Sequence, residues 1–70
     1  MNQKYINALS ARFKAEMAEA EANFSLYVSD KNLAAIGEHS DLMEEQEKWI
    51  NQYVDAKDKL AALEELIKNN

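Results

Sequence analysis

Cysteine and proline are absent from this chain, and glycine occurs once, at Gly37. Each shortage removes a class of solution. Without cysteine there are no disulfides to brace a small fold and no thiolates to hold a structural metal. The single histidine, His39, cannot build a histidine-rich zinc site. Sheet proteins need turns every few residues, and turns draw on Gly, Pro, Asn and Asp. Glycine motifs that cradle phosphates are excluded on the same count. Long apolar runs are missing too, none approaching the roughly 18 residues of a membrane span. The polar opening from Met1 to Tyr5 leads into no apolar core of a secretion signal. A soluble, cytoplasmic protein without membrane association is therefore expected, and the lack of cysteine fits a reducing compartment. Asn23-Phe24-Ser25 matches a glycosylation sequon but falls inside a helical segment, where it reads as coincidence.

What is present favours helix. Alanine, glutamate, lysine, leucine and glutamine dominate, all of them good helix formers. The chain's 70 residues make a single domain spanning residues 1–70. So short a chain buries a modest share of its surface and usually needs a disulfide, a metal or a partner chain. With the first two excluded, oligomerisation or very regular helix packing is left as the source of stability.

Helix 1 is expected over about residues 3–28. Ile6, Leu9, Phe13, Met17, Ala20, Phe24 and Tyr27 recur at spacings of three and four, which aligns them on one stripe. Alanines at 8, 11, 15, 18 and 22 flank that stripe, raising helix propensity and permitting a close neighbour. Helix 2 is expected over about residues 40–68. Leu42, Gln46, Trp49, Tyr53, Ala56, Leu60, Leu63 and Ile67 form an uninterrupted heptad seam. Ile50 and Leu66 are expected to widen it towards a bundle stripe. Gln46, the polar member, reads either as a partly exposed position near the helix start or as a register-setting contact across an interface.

Residues 29–39 connect the two. Ser29-Asp30-Lys31-Asn32 has turn chemistry, and Leu33-Ala34-Ala35-Ile36 can add a helical turn ended by a left-handed Gly37. Leu33 and Ile36 are expected to plug the core beneath the loop. Ser40 or Asp41 is expected to cap helix 2, with Asp41 and Glu44 in capping-box spacing. So short a connection turns the helices back on each other as an antiparallel, coiled-coil-like αα-hairpin. A lone hairpin leaves part of Phe13, Phe24, Trp49 and Tyr53 in water, and pairing two hairpins into a four-helix bundle removes that exposure. The expected fold is all-α, a homodimer with Phe13, Phe24, Leu42, Trp49, Tyr53, Leu60, Leu63 and Ile67 as the self-association seam.

The net charge of −5 is polarised. Residues 1–15 and 56–70, which share the open end of a hairpin, carry six cations against three acids. The rest carries Lys31 and Lys48 against ten acids. Helix electrostatics explain part of this, since acids at 38, 41, 44 and 45 suit the N-terminus of helix 2 and Lys68 its C-terminus. Glu44 with Lys48 and Glu64 with Lys68 have favourable i,i+4 order. The functional alternative is an acidic tip of Glu38, Asp41, Glu44, Glu45 and Glu47 that docks on the basic surface of a host protein such as a nucleic-acid enzyme, as a small inhibitor or modulator would.

No catalytic, cofactor-binding or metal-binding residues are expected. Glu38-His39-Ser40-Asp41 holds an acid, a base and a hydroxyl, but consecutive residues do not converge on one point and no oxyanion donors accompany them. Glu-x-x-His pairs and calcium loops are missing as well. Nucleic-acid binding normally shows a basic stripe, and the cations of the open end are scattered among apolar and acidic residues, so nucleic acid is not the expected partner unless dimerisation gathers them.

Three strings carry a family likeness: Lys4-Tyr5-Ile6-Asn7-Ala8-Leu9, Ile36-Gly37-Glu38-His39, and Ala56-Lys57-Asp58-Lys59-Leu60. With them the chain resembles small helical proteins of tailed bacteriophages, the T4-like group especially, for which no function is assigned. In that pattern a proline often follows the histidine; Ser40 stands here, a departure that touches helix capping. The resemblance implies a phage-encoded protein in the bacterial cytoplasm, with a host or phage protein as a further possible partner. It transfers no activity and no site.

Overall fold

A computed structural model describes the backbone of residues 2–29 and 39–69 and the side chains of 2–26 and 42–69. Two helices make up the described residues, α1 over Gln3–Ser29 and α2 over His39–Lys68, without strands. Both agree with the expected spans to within a residue. The start of α1 is capped by Asn2, a residue that the apolar periodicity does not reveal. Its Oδ1 accepts the Lys4 N–H at 2.8 Å, and its carbonyl accepts the Ile6 N–H at 3.1 Å. Such caps are worth about 1 kcal/mol. At the far end of α2 the last turn carries Lys68, the favourable charge for a C-terminus.

Helix α2 begins at His39, so Ser40 and Asp41 lie within its first turn rather than ahead of it. The left-handed Gly37, the plug of Leu33 and Ile36, and the turn at residues 30–32 fall outside the described residues, as do the side chains of Tyr27, Ser40 and Asp41.

The helices run antiparallel. Gln52 reaches the turn from Glu16 to Glu19, while Trp49, Ile50 and Tyr53 lie beside Ala20 and Phe24, so earlier residues of α2 meet later ones of α1. Helices of this length measure roughly 40–45 Å at 1.5 Å per residue. Laid side by side they form a rod of 51 × 17 × 13 Å. The radius of gyration is 15.9 Å, against about 11 Å for a compact chain of this length.

The rod has a thin core. Among the described residues only Ile6, Ala20, Ala56 and Leu63 are buried hydrophobics, and no large side chain is fully buried. Ala20 and Ala56 are almost completely enclosed. Small residues at those positions let the two backbones approach closely, and larger neighbours on the seam then splay outward to half-burial. Phe13, Met17, Phe24, Leu42, Trp49, Tyr53 and Leu60 all sit in that half-buried class.

Candidate functional site

The heptad seam of α2 faces α1 within the same chain. From Leu42 to Leu63 every seam position is buried or half-buried, as the periodicity predicts. Its last member departs: Ile67 is 37% exposed. Counting equally along both helices from the contact of Gln52 with Glu16–Glu19, Ile67 comes opposite the first residues of α1, where the partner helix runs out. Ile50 and Leu66 do not widen the seam as expected, being 47% and 59% exposed. At 3.6 residues per turn they project from opposite sides of it.

Those two sides differ in chemistry. One flank is polar and tied across the helices by Gln52, whose Nε2 donates to the Glu16 carbonyl at 3.0 Å and to Glu19 Oε1 at 3.1 Å. Arg12 pairs with Glu16 at 3.3 Å and Lys59 with Asp55 at 2.9 Å, extending the same polar surface. The Asp55 carboxylate, by hydrogen bond and by charge, raises the Lys59 pKa above its ordinary 10.5. Gln46, by contrast, is half-buried and makes no side-chain hydrogen bond among the described residues. The register-setting contact within the hairpin belongs to Gln52, an amide just off the seam that nothing in the periodicity singles out.

The other flank is apolar and open. Between the helices lies a groove of about 250 Å³ lined by Ala20, Glu21, Phe24, Trp49, Ile50 and Tyr53. Lys48 Nζ sits 4.8 Å from the centre of the Trp49 ring, a cation–π contact. The indole Nε1 of Trp49 is buried without an acceptor among the described residues. The seam residues Phe24, Trp49 and Tyr53 are thus brought together, and brought to one side of the rod. Phe13, Leu42 and Leu60 are half-buried and Leu63 is buried.

The acidic surface proposed from sequence is placed only in part. Glu44 and Glu47 are exposed and Glu45 is half-buried, whereas the side chains of Glu38 and Asp41 lie outside the described residues. Neither Glu44–Lys48 nor Glu64–Lys68 forms an ion pair; Arg12–Glu16 and Asp55–Lys59 are the pairs among the described residues. Lys48 turns to the Trp49 ring instead. No group of three or more metal-ligating side chains occurs among the described residues, and neither described helix is long and apolar enough to cross a membrane. The side chain of His39 is not among those described. No family model, curated protein or solved structure matches this chain.

Proposed function

We propose that the chain is a non-enzymatic interaction or structural module that acts as a homodimer, two hairpins joining into a four-helix bundle. One observation carries this reading. In a chain whose residues are 47% hydrophobic, no large side chain is fully buried among the described residues. A stable soluble core requires just such burial, and a second hairpin is the simplest way to complete it. The total accessible surface points the same way. It is 5606 Å², against about 4,400 Å² for a compact chain of this mass.

The resemblance to tailed-phage proteins gives the proposal its setting, a phage-encoded module in the bacterial cytoplasm. A second reading, the acidic modulator of a host protein, draws support from Glu44 and Glu47, exposed acids without a cation partner among the described residues. The two readings separate on substitution. Reversing Glu44 and Glu45 would remove an acidic docking surface and leave the dimer intact.

Sedimentation equilibrium tests self-association directly. A dimer is expected at micromolar concentration, with a melting temperature that falls on dilution because unfolding is coupled to dissociation. An 8.0 kDa species that melts cooperatively, at a temperature independent of concentration, would sink the proposal.

A further inference from the structure

Residues on the open flank of α2 form a second stripe, roughly a third of a turn round from the seam at 3.6 residues per turn. In order they are Met43, Glu47, Ile50, Val54, Lys57 and Ala61, again at alternating spacings of four and three. All six are exposed, Met43 to 67% and Val54 to 48%. Neither Glu47 nor Lys57 makes an ion pair or hydrogen bond among the described residues.

The stripe reads as a palindrome about position 52. Reversed end to end, Met43 falls on Ala61, Glu47 on Lys57 and Ile50 on Val54. Apolar meets apolar, and acid meets base. An isologous two-fold contact demands this property, since residue i must suit residue j and j must suit i. We infer that a second copy of this chain docks here, α2 against α2 antiparallel, with the two-fold axis level with position 52 on the face of α2 opposite the Gln52 side chain. Glu47 of each copy then faces Lys57 of the other, and Ile50 faces Val54.

Three further observations fit that occupant. First, the stripe and the seam diverge by the angle at which a bundle helix meets its two neighbours, so the aromatic groove beside Ile50 comes to face the bundle centre. Second, Gln52 pairs its level of α2 with the α1 turn from Glu16 to Glu19, so the axis lies level with that turn. The exposed Lys14 and Glu21 bracket it on the open flank, and the two-fold brings Lys14 of one copy towards Glu21 of the other. Third, the area suffices. The chain exposes 5606 Å², roughly 1,200 Å² above a compact chain of its mass, and a stable interface takes about 800 Å² from each partner.

This geometry rests on the homodimer proposed above, and the test separates the two. E47K and K57E are each expected to weaken dimerisation about tenfold, because each places like charges opposite one another at two symmetric positions. Mixing the two variants restores association, since the heterodimer regains both opposite-charge contacts; the double variant E47K/K57E regains them as a homodimer. Circular dichroism confirms that all three remain helical. The chain has no cysteine, so I50C mixed with V54C is expected to cross-link as the heterodimer in preference to either homodimer. If the parent chain dimerises but neither mixing nor the double variant restores association, the antiparallel face is wrong and the homodimer stands. A parent chain that never dimerises overturns both.

Discussion

Trp49 sits at the junction of everything this hairpin leaves unfinished. Its ring lines the open groove, Lys48 rests over it, and its indole N–H is buried without an acceptor among the described residues. An unsatisfied buried donor costs about 1–3 kcal/mol. Phenylalanine keeps most of the ring and removes the donor, so Trp49→Phe is expected to change stability by less than about 1 kcal/mol. Trp49→Ala forfeits the packing and costs about 2–3 kcal/mol, discounted for half-burial. Urea unfolding followed by circular dichroism distinguishes them, fluorescence being lost with the only tryptophan. Lys59 offers a purely electrostatic counterpart. Its pKa is raised by Asp55, so the stabilisation from this pair is fully present below the ordinary 10.5 and is lost as pH rises through the folded value. In an NMR titration Lys59 is expected to deprotonate later than an ordinary lysine, and Asp55→Asn to return it to the usual range. On so exposed a pair the effect is a marker of geometry, not a source of stability.

Between the helices, the decisive contacts are small. Ala20 and Ala56 lie deepest, and their size sets how near α1 and α2 approach. Leucine at position 56 is apolar, helix-favouring and heptad-compatible, so a pattern argument welcomes it. The packing argument rejects it, because an enclosed site has no volume for three more carbons. Ala56→Leu is expected to destabilise the hairpin by about 1–3 kcal/mol, the usual range for overpacking, with thermal melting as the check. Gln52 does the complementary task of fixing how far one helix slides past the other. Its two acceptors lie on a single turn of α1, so a slide of one turn would break both bonds.

Taken as a rod, the molecule has one flank tied across by polar contacts and one flank with an open apolar groove. That division explains how a chain with an uninterrupted heptad seam can still lack a finished core among the described residues. The seam is consumed by the contact between α1 and α2, and the residues beside it on the Ile50 flank face solvent. Self-association answers this imbalance by enclosing the groove from the second side. The stability of such a dimer rises with concentration, and each tenfold increase adds about 1.4 kcal/mol at 25 °C through mass action. The shift of melting temperature with concentration in the proposed experiment therefore reads the coupling of folding to assembly, beyond the mere presence of dimers.

Helical periodicity is a property of one strand of residues, and for that reason both helices and the α2 seam could be read along the chain without a partner in view. Leu42, Trp49, Tyr53, Ala56, Leu60 and Leu63 follow from spacing alone. Which flank of the seam stays open could not be read that way, because it depends on the register between residues more than thirty positions apart, as Gln52 and Glu16 are. Spacing alone puts Ile50 and Leu66 on opposite sides of the seam, but which of those sides is tied across by Gln52 and which stays open came only with that register. Asn2 as the cap and Gln52 as the cross-tie had no signal in the pattern, since one amide among several becomes special only when an acceptor is placed beside it. The charges show the same division. The sequence contains the palindrome of Met43 to Ala61 in full, but it acquires meaning only once α1 covers the neighbouring seam and leaves that stripe to the solvent.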